Sequence, residues 1–101
     1  MRPMAITVPE ERIRDFCLRH HIRRLALFGS VLRDDFTPGS DVDVLVEFES
    51  GETVGFFRLT RVQDELSELL CRQVDLSTFA MLSPHFRDEV LAEAETLYDA
   101  A

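Results

Sequence analysis

Lysine and tryptophan are absent from the 101 residues, and tyrosine, cysteine and histidine occur once, twice and three times. Without lysine there is no P-loop, whose signature Lys must reach the β- and γ-phosphates. Two cysteines and three histidines are too few and too scattered for a zinc centre. Cys17 and Cys71 both fall in apolar-periodic segments and read as buried free thiols. His20, His21 and His85 lack ligand-like spacing and read as structural or solvated. No apolar run approaches the roughly 20 residues that cross a bilayer, and no signal-peptide core is visible, so the expected compartment is the cytoplasm, with no membrane partner. Positive charge is also scarce. Eleven Arg face nineteen acids, for a net charge of −8. Residues 1–40 carry seven Arg and five acids, whereas residues 41–101 carry four Arg and fourteen acids. Such a chain binds nucleic acid poorly, and it has no basic-aromatic platform for single strands, so no direct DNA binding is expected.

What is present suits a folded domain: 46% apolar and 30% charged residues. Residues 1–101 read as a single domain with a loose tail at 1–6. Thr7-Val8-Pro9-Glu10 has the form of a capping box, and Ile13, Phe16, Cys17 and His20 recur at helical spacing, so a first helix is predicted over 8–20. A buried strand follows at 23–28, then a Gly29-Ser30 turn, a short helical piece at 31–34 and a loop at 36–40. A second strand is predicted at 41–48 and a helix at 54–71 with Phe56, Leu59, Val62, Leu66 and Leu69 inward. Phe57 falls off this stripe and suits a protein interface. A third strand is predicted at 73–78. Ser83-Pro84 then opens a last helix from 84 to 95 or slightly beyond, with Phe86, Val90, Ala94 and Leu97 inward. The order implies an α/β domain with one small three- or four-stranded sheet and helices packed against it.

The chemistry concentrates in LALFGSVLRDDFTPGSDVDVLVEF. In the second strand Asp41 and Asp43 share one face, about 7 Å apart, because strand side chains alternate. Two like charges so placed repel unless a cation relieves them, and hard carboxylate oxygens suit Mg²⁺. Gly29-Ser30 follows an apolar strand, where a tight turn leaves backbone N–H groups free for phosphate oxygens. Gly29 lets backbone approach phosphate, and Ser30 offers a hydroxyl. Asp75, in Val74-Asp75-Leu76, is a third acid between apolar neighbours. Glu47 and Glu49 share parity with Asp43 but lie farther from the turn, as rim charges.

Gly29-Ser30, ten residues, Asp41-Val42-Asp43 and a later strand acid resemble the nucleotidyltransferase superfamily that includes DNA polymerase β. Within it the chain is most similar to the minimal nucleotidyltransferases (MNT), antitoxin partners of HEPN-domain toxins. The resemblance implies a mixed sheet, with Asp41, Asp43 and Asp75 as catalytic acids holding two Mg²⁺ ions, for which Mn²⁺ substitutes. Asp75 would also take the acceptor's proton. Gly29, Ser30, Arg33 and Ser40 would bind the nucleotide, with Arg33 on the triphosphate. Asp34 stands where the family usually has Gly, and Asp35 adds a second acid beside the phosphate site. The implied reaction moves AMP from ATP onto a hydroxyl, a tyrosine of a HEPN ribonuclease toxin, and releases pyrophosphate. The acceptor site lies largely outside so small a chain, so a homo- or hetero-oligomer is expected. The acidic second half suits a basic partner. Two rivals are an antitoxin that neutralises by contact alone and a small-molecule nucleotidyltransferase acting as a homodimer.

Overall fold

A computed structural model describes residues 8–29 and 41–100. The elements run α1 (Glu10–Arg19), β1 (Ile22–Phe28), β2 (Val42–Phe48), α2 (Phe56–Leu70), β3 (Val74–Thr78), a 3-10 turn (Phe79–Met81), α3 (Arg87–Glu93) and β4 (Glu95–Asp99). The four strands form one sheet in the order β3-β2-β1-β4. β1 is antiparallel to both β2 and β4, and β2 is parallel to β3, so the sheet is mixed. The tail at 1–6, the helical piece at 31–34 and the loop at 36–40 lie outside the described residues.

Alternation builds the core. Val42, Val44 and Val46 of β2, Leu25 and Leu27 of β1, and Val74 and Leu76 of β3 all turn to one face and are buried. Ile13, Phe16 and Cys17 of α1 and Val62, Leu66 and Leu70 of α2 cover that face and complete one cluster. Burial at about 25 cal/mol per Å² of apolar surface makes this layer the principal source of stability. An ion pair from Arg19 to Glu65, with His20 Nε2 3.0 Å from Glu65 Oε1, ties the two helices together. The Glu65 carboxyl is held below its usual range first by the Arg19 hydrogen bond and then by His20, against some desolvation. Among the described residues no helix is long and apolar enough to cross a membrane.

Several predicted features differ. Helix α1 has Pro9 at its N-cap with no side-chain cap bond, and Thr7 of the predicted capping box lies outside the described residues. Phe56 is 77% exposed and Phe57 84%, so the buried stripe of α2 begins after them, with Leu59 packed against the core. Leu70 rather than Leu69 closes the buried stripe. Cys17 is buried, its thiol pushed up to about 12 by desolvation, but Cys71 is exposed at the left-handed C-cap of α2. The last helix is short, starts three residues after Pro84 and ends at Glu93. Phe86 is exposed, and residues 95–99 form β4 instead of continuing the helix. Ala94 turns extended (φ −61°, ψ 137°), and Thr96 and Tyr98, good strand formers, pair with the open edge of β1.

Candidate active site

The second face of the sheet carries the residues that alternation removes from the core: Ala26 and Phe28 of β1, Asp43, Leu45 and Glu47 of β2, and Asp75 and Ser77 of β3. Register decides which of them meet. Asp43 stands opposite Phe28 across the antiparallel pair and beside Asp75 across the parallel pair. Adjacent strands lie about 4.8 Å apart, so these two carboxylates share one spot at the end of the sheet. Asp41 lies just before β2, exposed, and the next residue, Val42, donates its N–H to the Gln73 carbonyl at 2.8 Å. The fold thus brings Asp43 and Asp75 side by side, with Asp41 two residues before Asp43 in the chain.

Gly29 follows β1 directly and caps this spot. Its φ of +76° is a left-handed conformation that side chains disfavour. A Cβ built there would overlap Asp43 Oδ2 and stand 3.1 Å from Asp43 Cγ. Glycine is therefore required twice over, for the backbone turn and for the carboxylate beneath it. Ser30, Arg33 and Ser40, together with Asp34 and Asp35, lie outside the described residues.

Carboxylate oxygens are the donor set that a hard divalent cation takes, so the residues fit Mg²⁺ or Mn²⁺ by chemistry. Among the described residues, no three His, Cys, Asp or Glu side chains close into a ready-made metal cluster. The acids form an open arrangement: two neighbours across a strand pair and a third at the start of β2. Glu47 lies at the other end of β2, exposed, with Arg23 Nη1 3.4 Å away, as a rim charge. Glu49 follows β2 and is exposed as well.

A groove of about 350 Å³ opens beside Gly29, lined by Phe28, Met81, Leu82, Phe86, Glu89 and Glu93 among others. Periodicity concealed it, because reading Phe86 as a core residue of a longer helix hid the surface that it borders. Further along the same face, Phe79 and Leu91 lie with Ala26 and Leu45 around a cavity of about 60 Å³. Arg24 and Glu47 also border this cavity.

A family model described as a nucleotidyltransferase domain matches residues 10–97. A Methanocaldococcus jannaschii protein assigned as a protein adenylyltransferase is 35% identical over 91 residues, covering 90% of this chain and 96% of its own length. A solved structure assigned as a minimal nucleotidyltransferase is 38% identical with a TM-score of 0.69, covering 84% of this chain and 85% of that one. The same fold recurs in a complex between the tri-AMPylated Shewanella oneidensis HEPN toxin and its MNT antitoxin. There the identity is 21% and the TM-score 0.64, over 89% of this chain and 69% of the other.

Proposed function

Because the chain belongs to the nucleotidyltransferase domain family, we propose that it transfers AMP from ATP to a hydroxyl of a partner protein, a HEPN-domain toxin, and releases pyrophosphate. One observation carries the reading: Asp43 beside Asp75, with the positive-φ turn at Gly29 packed against Asp43. The toxin in the Shewanella oneidensis complex is itself AMPylated, which supports a protein acceptor for this chain. In the proposed step the acceptor oxygen attacks the α-phosphorus and the bond to the β-phosphate oxygen breaks. The acceptor's proton passes to a carboxylate, assigned here to Asp75, whose position at the exposed end of β3 leaves room for a bulky acceptor.

Asp41, Asp43 and Asp75 would hold Mg²⁺, which when bound neutralises charge on the reacting phosphates. Their open arrangement matches the habit of Mg²⁺, which takes one or two carboxylates and completes its shell with water and substrate phosphate. Gly29 and Ser30 would offer backbone and hydroxyl donors to the phosphates, with Arg33 and Ser40 alongside. The test is mass spectrometry of a HEPN toxin encoded beside this chain, after incubation with the chain, ATP and Mg²⁺. The toxin should gain AMP increments and lose ribonuclease activity. A toxin silenced at unchanged mass would replace this reading with neutralisation by contact.

A further inference from the structure

Strand β3 is the outer strand of the sheet, so the peptide groups on its free side have no strand to pair with. Helix α2 meets them instead. The Val74 N–H donates to Ser67 Oγ at 3.0 Å, and the Leu76 N–H donates to Gln63 Oε1 at 2.9 Å. Ser67 Oγ in turn donates to the Gln63 carbonyl at 2.9 Å, which fixes the serine rotamer. The two spacings match, since four residues of helix advance about 6.0 Å and two residues of strand about 6.6 Å. The helix runs opposite to the strand, so Ser67 meets residue 74 and Gln63 meets residue 76. The two held N–H groups belong to the residues on either side of Asp75.

We propose that Gln63 and Ser67 are positioning residues for Asp75, locking the height and register of β3 so that this carboxylate stands beside Asp43. The inference rests on the assignment of Asp75 as the third carboxylate of the site. A five-residue edge strand is easily displaced, and a slip of one residue would turn Asp75 to the core face. Neither side chain touches the reacting groups, since both reach β3 from the helix that covers the opposite face of the sheet.

The test uses the full chain with Gln63→Leu and Ser67→Ala combined, and a restoring pair, Gln63→Glu with Ser67→Thr, which returns an oxygen acceptor to each N–H. Thermal melts establish that every variant is folded at the assay temperature; if the combined variant is not, the two single variants take its place. In the metal-free protein, the Val74 and Leu76 amides should exchange with solvent faster in the Leu/Ala variant and return towards native rates in the Glu/Thr pair. Misplacement by about 1 Å costs on the order of 10²-fold, so single-turnover AMP transfer at saturating MgATP should fall about tenfold or more. KM for ATP should stay within about threefold, because binding rests on other groups, and the restoring pair should recover most of the rate. A Leu/Ala rate within about threefold of native would overturn the proposal, as would a restoring pair as slow as the Leu/Ala variant. Asp75→Asn, run in parallel, separates the two levels. If it is slow while the Leu/Ala variant is fast, only the positioning role falls; if it is itself near native, the assignment of Asp75 falls and takes the positioning role with it.

Discussion

The two faces of the four-stranded sheet are made from alternate residues of the same strands and differ in almost everything else. On one face Leu25, Leu27, Val42, Val44, Val46, Val74 and Leu76 are buried under two helices and hold the fold together. On the other, Asp43 and Asp75 stand side by side at one end of the sheet, with Gly29 packed against Asp43. Burying a carboxylate is costly, and these acids lie on the face away from the core, where Asp75 is exposed and Asp43 half-buried. Stability and chemistry are thus written into alternate residues of one strand, Val-Asp-Val-Leu-Val-Glu-Phe, and should be separable by mutation.

The sharpest break is expected at the acidic end. Asp43→Asn should lower AMP transfer by about 10³-fold or more, since metal and charge stabilisation contribute several kcal/mol to such steps. Its unfolding free energy should change by no more than about 1 kcal/mol, as relief of like-charge repulsion offsets lost contacts. Transfer assays paired with urea denaturation check both halves. Leu25→Ala, on the covered face with 0% exposure, should do the reverse. It should cost about 2–5 kcal/mol of stability and leave transfer per folded molecule nearly unchanged.

Gly29→Ala should affect both quantities, because it forces a side chain into a φ of +76° and against Asp43. A stability loss of about 1–3 kcal/mol is expected, with transfer reduced about 10- to 100-fold. Retained transfer would mean that Asp43 can move without penalty.

The smallest effect lies outside the sheet. Glu65 titrates below its ordinary value of 4.5 in the folded chain, chiefly through its hydrogen bond from Arg19. A depressed carboxylate contributes stability above its unfolded pKa and loses it as the pH falls through the folded pKa. Arg19 is 59% exposed, so solvent screens the pair and its contribution should be small. Native chain and Glu65→Gln should therefore differ slightly in urea denaturation at pH 7 and converge in acid, well below pH 4.5.

Much of this division was legible in the residues. The alternation through Val42–Phe48 and Val74–Thr78 already put the acids opposite the valines, and Gly29 at the end of an apolar run marked the turn. What alternation could not supply was neighbourhood. That Asp43 lies beside Asp75 depends on parallel pairing and register, which are tertiary facts. β4 was missed because Val90, Ala94 and Leu97 keep helical spacing across Ala94, while the open edge of β1 draws residues 95–99 into the sheet. Gln63 and Ser67 gave only the faint signal of two polar residues interleaved with a buried stripe at Val62 and Leu66. Phe56 fitted the helical stripe in spacing and Phe57 did not, yet both are exposed, edge to face at 5.9 Å.

Whether the open end of the second face performs the transfer is decided by where metal and nucleotide bind. Crystals grown with Mn²⁺ and a non-hydrolysable ATP analogue, measured by anomalous scattering, should show Mn²⁺ on the Asp41 and Asp43 carboxylates, with the analogue's phosphates beside Gly29. Mn²⁺ and phosphate found instead in the groove between α1 and α2, among Arg12, Asp15 and Glu68, would contradict that assignment.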